Sequence, residues 1–302
     1  MHMKKGRILL VIGFFVITVS GYSQDYTFKV LANKGANEYK SGNTWQALKT
    51  GASLKSGDEL KISENSYLGL VHANGRPLEV KKAGSYTVAQ LASQVATGQS
   101  VLAKYTDFIL SSNSAEAKKN RLSATGAVDR GDSKLNVFLP PPQNANIFGK
   151  TMVVEWEAPA GGGPYVVTFR NIFDEDLMKL ETPETIVNVD LNNEKLANES
   201  VIMVQVASKA HGAVKADAKV VKKLSPTDYE KIKKSYAEIS GDMKDDSGFS
   251  KFIQAGFYEQ NGLLIDALTS YEAAIKLSPD IDDFKAARTE FLLRNKMIKA
   301  KR

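Results

Sequence analysis

The sequence predicts a multidomain α+β protein: two all-β units followed by a helical segment. Three observations predict it. Apolar and polar residues alternate in short runs between Asp25 and about Val80. A second set of short alternating runs fills roughly residues 135–224. From Ser225 onward apolar residues recur every three or four positions. At 302 residues the chain has room for two or three units of ordinary domain size.

Ahead of these lies a different pattern. Lys4, Lys5 and Arg7 precede an almost unbroken apolar run, Ile8 to Val19, and then a small polar stretch, Ser20-Gly21-Tyr22-Ser23-Gln24. That order is a secretory signal peptide over residues 1–24. Its apolar run is 12 residues, short of the roughly 20 that a membrane-spanning helix requires. An exported protein with no membrane span after leader cleavage is therefore expected. The leader carries three of the 40 basic residues, leaving 37 against 34 acidic, a net charge of +3. That balance offers no basic footprint for nucleic acid. Cysteine is absent, so each unit must be stable through its own core, and no lipoprotein cysteine follows the leader. These features fit the periplasm or cell surface of a Gram-negative bacterium.

In the first unit Tyr26, Phe28 and Val30 alternate with Thr27 and Lys29, and Leu60 and Ile62 flank Lys61. Turn signals stand at Lys34-Gly35, Ser41-Gly42-Asn43, Ser56-Gly57-Asp58 and Asn74-Gly75, the last of these a hairpin signal between Tyr67–His72 and Pro77–Val80. Trp45-Gln46-Ala47-Leu48, Gly51, Leu54, Gly57-Asp58, Leu60, Ile62, Ser66-Tyr67-Leu68-Gly69-Leu70, Gly75, Leu78 and Val80 together resemble the FecR-type β domain, over roughly residues 26–90. The resemblance implies a compact stack of strands and an interaction role, because the shared positions are turn and core residues. FecR sensors carry a cytoplasmic anti-sigma segment ahead of a membrane helix, whereas here only seven residues precede the apolar run.

Helical spacing follows: Val88, Leu91, Ala92 and Val95, then Val101, Leu102, Tyr105, Phe108 and Ile109. Two amphipathic helices packed on the β unit complete a domain over 25–117. Residues 118–134 read as a linker, with Lys118-Lys119-Asn120-Arg121 as a solvated charge run, and Pro140-Pro141-Pro142 blocks regular structure just beyond it. Strands are expected at Leu135–Leu139, Met152–Trp156, Tyr165–Arg170, Thr185–Leu191, Val201–Ala207 and Ala218–Leu224. That succession points to a sandwich of the immunoglobulin or fibronectin type III kind over 135–224. Trp156, Pro159 and the glycine-rich turn into Tyr165–Phe169 resemble early fibronectin type III strands.

Ser225-Pro226-Thr227-Asp228 opens a capped helix carrying Tyr229, Ile232, Tyr236 and Ile239 on one face. Ala255, Tyr258, Gly262, Ala267, Tyr271, Ala274 and Pro279 then fall at the spacing of a tetratricopeptide repeat. The resemblance implies a helix pair, Phe249–Asn261 and Leu264–Leu277, with Asp282–Lys299 as a closing helix in a module over 225–302. Lys251 and Gln254 stand where the family has Trp and Leu, which implies a solubilising terminal repeat. A single repeat leaves an apolar stripe of Phe252, Phe257, Leu268, Phe284 and Phe291 that a partner or the adjacent sandwich must cover.

Catalytic and metal chemistry find little to build on, so no catalytic, cofactor or metal residue is assigned. His72 and His211 stand singly, and there is no Gly-x-Ser-x-Gly elbow. Phe148-Gly149-Lys150-Thr151 copies the end of a P-loop, but Asn144 replaces its first glycine and a strand follows. Ala160-Gly161-Gly162-Gly163-Pro164 reads as a hairpin loop. Asp174-Glu175-Asp176 and Asp242/Asp245/Asp246 read as solvated turns, neither having the spacing of a calcium loop.

The expected function is a non-enzymatic envelope scaffold, similar to proteins of Bacteroidota envelopes, that binds other envelope proteins through its helical and β modules. The alternatives are a carbohydrate-binding or adhesive surface protein, a FecR-type signalling component lacking the anti-sigma segment, and an enzyme with scattered acidic residues. The mature protein is expected to begin near Asp25. Mass spectrometry of the native amino terminus checks this, and a mature protein that still begins at Met1 refutes it.

Overall fold

A computed structural model describes residues 26–117, 119, 135–157, 162–210, 214–243 and 246–298. The expected leader, nearly all of the expected linker, Pro159 and His211 lie outside them. The architecture is mixed α+β, with antiparallel sheets and helices. Among the described residues no helix is long and apolar enough to cross a membrane.

The first unit has eight strands: β1 Phe28–Lys34, β2 Glu38–Ser41, β3 Thr44–Ala47, β4 Ser53–Leu54, β5 Glu59–Ile62, β6 Tyr67–His72, β7 Pro77–Val80 and β8 Gly84–Thr87. They form two four-stranded sheets, β4-β1-β6-β7 and β3-β2-β5-β8. Phe28, Val30, Leu60, Ile62, Leu68 and Leu70 fill the space between the sheets. Helix α1, Val88–Ala92, closes that core with Val88 and Leu91. Its start is fixed by a capping box in which Thr87 and Gln90 bond each other's backbone N–H. Helix α2, Ala103–Ser112, follows.

Strand β6 is buried along nearly its whole length, and the reason is a second layer. Leu68 and Leu70 face the inter-sheet core, while Tyr67 and Val71, one pleat out of phase, face a larger core built mostly of helices. In β1 a register shift between Val30 and Ala32 turns Leu31 and Ala32 toward that same helical core. A strand buried on both faces reads as continuously apolar, which explains the unbroken Tyr67–Val71 run.

The second β region is a sandwich. Strands β9 Asn136–Val137, β11 Thr151–Glu157 and β14 Ile186–Asp190 form one sheet in the order β14-β11-β9. Strands β10 Asn146–Ile147, β12 Tyr165–Arg170, β13 Asp176–Thr182, β15 Val201–Ser208 and β16 Lys219–Lys223 form the other, in the order β10-β16-β15-β12-β13. Within it β10 runs parallel to β16, and the other pairings are antiparallel. Strand β15 alternates residue by residue, placing Ile202, Val204 and Val206 inside with Trp156, Val167 and Phe169. No clean alternation marks β13 in the sequence, because Leu177, Met178 and Leu180 are interrupted by Lys179 and lie on an edge, only partly buried.

Four helices close the chain: α3 Pro226–Ser240, α4 Gly248–Gln260, α5 Leu264–Leu277 and α6 Asp282–Arg294. Ser225 caps α3 through its side chain, and Ser247 caps α4 in the same way. The closing helix stops at Arg294 instead of running to Lys299, with Asn295 bonding back to Phe291 O. These helices are not an appended lobe. Their core also contains Leu31, Tyr67 and Val71 of the first sheet and Leu102, Tyr105 and Ile109 around α2.

Gly69 of β6 is where the first sheet meets α4. A Cβ there would lie 2.7 Å from Phe249 Cε2, and Phe249 is 2 % exposed, packed edge-on against Tyr67 in the helical core. Gly69→Val is expected to cost about 1–3 kcal/mol, read as a lower denaturant midpoint. Phe249→Leu in the same chain should recover part of that loss, since contacting sites are not additive. Additive losses would refute the contact.

Candidate functional site: the helical layer between two β units

Each residue at a repeat-like position has a defined place. Ala255, Ala267, Tyr271 and Ala274 are fully buried and Tyr258 nearly so. Gly262 turns the chain between α4 and α5 at φ +72°, and Pro279 is exposed in the turn before α6. Gly256, which the sequence reading did not single out, lets α2 cross α4: a Cβ there would come within 2.6 Å of Ile109 Cδ1.

The apolar stripe is covered by the chain itself. Phe252, Phe257, Leu268, Phe284 and Phe291 are each at most 1 % exposed. Tyr105 packs edge-on against Phe257, and Tyr67 edge-on against both Phe249 and Phe284. On the other side Ile265 of α5 is part of the sandwich core, and Phe148 packs against Tyr229, Tyr236 and Tyr258. The first β unit therefore supplies much of the cover that the sequence reading sought from a partner or the sandwich. Lys251 and Gln254 are engaged as well: Lys251 pairs with Asp246, and Gln254 donates to the Tyr236 hydroxyl at 2.9 Å.

Polar tethers fix the layer on both sides. Toward the sandwich, Asp266 accepts from Phe148 N at 2.9 Å and Gly149 N at 2.6 Å. Thr269 Oγ1 accepts from Val153 N at 3.1 Å. Arg288 bridges Glu272 on its neighbouring helix and Glu155 on β11. Burial holds the Glu272 carboxyl above its ordinary range; Arg288 opposes this and Glu155 adds to it. Toward the first unit, Asp283 accepts from Asn33 N and Thr50 Oγ1, each at 2.7 Å, and Lys34 pairs with Asp280. Inside the layer Arg294 makes a two-point pair with Glu259 at 2.5 and 2.6 Å and donates to Asn113 beyond α2.

A cleft of about 600 Å³ opens where β1, α2 and α6 converge. Leu31, Ile109, Phe252 and Ala287 give it an apolar floor. Lys29, paired with Asp107 at 2.8 Å, and Asp283 stand on its rim. Its size is that of a ligand or side-chain pocket. No local sequence signal marks it, because its walls come from positions more than two hundred residues apart.

The remaining candidates find structural places. His72 packs edge-on against Phe28, and its Nδ1 accepts from Asn74 N. Asp242 pairs with Arg76, and Asp174 and Asp176 pair with Arg170. Gly149 N, in the stretch that copies the end of a P-loop, donates to Asp266. Trp156 and Tyr165 are buried against each other. Among the described residues no group of three or more His, Cys, Asp or Glu is placed to hold a metal ion. Asp245 and Tyr22 lie outside the described residues. No protein-family model matches the chain, and no curated protein matches it.

Burial drives the Asp266 carboxyl up to about 7, against the pull of the Phe148 and Gly149 N–H groups. An unfolded aspartate titrates near 4. The folded form therefore holds the extra proton between these values, and stability falls as pH rises from about 4 through about 7. The shift corresponds to roughly 4 kcal/mol at most. Asp266→Asn should flatten this part of the stability profile, as measured by urea unfolding at pH 5 and pH 8. An unchanged slope would refute the assignment.

Proposed function

We propose that the chain is a non-enzymatic exported scaffold of a Gram-negative envelope, in which a repeat-like helical layer holds two β units in fixed relation and the units contact other envelope proteins. The observation that carries this reading is the placement of α4 and α5. One side of the layer is covered by β1, β6 and α2, the other by β10 and β11. A peptide-binding repeat leaves such a face open; here it is used internally, so partner contact moves to the β units and to the cleft between β1, α2 and α6.

The module assignments have support of their own. Two packed four-strand sheets with Gly51 and Gly75 at positive φ in turns accord with the FecR-like reading, as does buried Asp58 bonding Lys55 N. A three-strand sheet facing the order β10-β16-β15-β12-β13 accords with the immunoglobulin or fibronectin type III reading. The α4–α5 pair closed by small residues accords with the tetratricopeptide-like reading. The leader composition supports export. A sugar-binding reading has less to draw on, since the exposed Trp45 carries Lys40 and Lys61 over its ring.

The absence of cysteine makes the test direct. A photo-reactive label on Ala286→Cys, at the cleft, should capture a defined envelope protein in intact cells. The same label on Lys233→Cys, on the exposed face of α3, should not. Equal capture at both positions, or none at either, refutes the cleft as a contact site.

A further inference from the structure

The two most exposed large apolar side chains of the described residues are adjacent: Ile172 is 64 % exposed and Phe173 76 %. They form the tip of the β12–β13 hairpin, and the tip is built to stay in shape. Asn171, itself buried, accepts through Oδ1 from Phe173 N at 2.9 Å and Glu175 N at 3.0 Å and donates through Nδ2 to Glu175. Asp174 takes φ +65°, a strained choice held by Arg170, which pairs with both Asp174 and Asp176. A tip whose backbone is fixed in this way has met part of the ordering cost of binding in advance. Its collar, Asp174-Glu175-Asp176, keeps a net negative charge after pairing with Arg170 and Lys179, which disfavours an anionic lipid surface.

A cleft with apolar walls and a basic rim lies on the same chain. It has a volume of about 460 Å³ and lies beside β7, with apolar walls from Pro77, Leu78, Val95 and Phe249. Arg76, Lys81 and Lys82 supply positive charge around it, and the last two are exposed. Glu79 and Asp242 also line it, each paired to one of these cations. With Phe173 so exposed, the tip does not fill the cleft of its own copy.

We propose that copies of this chain associate head to tail, the Ile172–Phe173 tip of one seated in the Arg76–Lys82 cleft of the next. Tip and cleft are different surfaces, so the contact is heterologous and each copy retains one free half, giving an open chain or a ring. Opposite charges at the collar and rim set the orientation and make the association salt-sensitive. This extends the scaffold reading without resting on it, since neither surface belongs to the cleft between β1, α2 and α6.

The test is the mass in solution of the chain without its leader, by analytical ultracentrifugation. Wild type should grow in mass with concentration and shrink with added salt. Phe173→Asp and the double variant Lys81→Glu, Lys82→Glu should each be monomeric, with melting temperatures unchanged. Ile172→Ser, a milder change at the same tip, should weaken association at least tenfold. Mixed in equal amounts, the two monomeric variants should form dimers and nothing larger, because one working tip and one working cleft remain between them. A monomeric wild type at submillimolar concentration, undiminished association of Phe173→Asp, or a mixture that stays monomeric would overturn the proposal. None of these results bears on capture at Ala286, so the scaffold reading stands or falls separately.

Discussion

Phe249, Phe252 and Phe257 of α4 are shielded from water only because elements far apart in the chain close over them. Strands β1 and β6 cover one side, α2 crosses at Gly256, and α5 and α6 complete the enclosure. Fully burying one such side chain is worth about 1.5–3 kcal/mol, so this cluster outweighs any individual polar tether. Remove any wall and the others face water with large apolar surfaces. The arrangement makes the sheet β4-β1-β6-β7 a two-sided layer, and the rest of the fold follows from that requirement.

Dispersion and hydrophobic contact do not by themselves fix how layers are oriented, and the polar groups supply that. Asp266 can accept two backbone N–H bonds only if the Phe148–Gly149 turn lies against the start of α5. Arg288 meets Glu155 and Glu272 together only if α6, α5 and β11 converge. Groups of this kind carry large desolvation costs, and a misplaced layer would leave them buried and unpaired.

The helical layer shares one core with the first sheet and contributes Ile265 to the sandwich core. Under the proposed scaffold reading, helices packed against both β units suit a spacer or adaptor more than a groove that moulds around a peptide. The β1–α2–α6 cleft and the β12–β13 tip lie on different modules.

The repeating polarity of the sequence determined the local elements. Alternation marked several strands of both β units, the Ser225 cap marked where α3 begins, and the Ala255–Ala274 spacing defined a helix pair within a residue of its observed ends. These are readable because side-chain period and capping are properties of neighbouring residues. The unbroken apolar run of β6 held a further clue, since a strand apolar on both faces requires a layer on each side, but nothing in it names that layer. Only the tertiary structure decided that the helices of the last eighty residues cover the first sheet, that Ile265 enters the sandwich core, and that Lys29, Ile109 and Asp283 border one cleft. Such pairings depend on which apolar faces fit together in three dimensions, and one chain's polarity pattern is nearly the same for every face that could have been chosen.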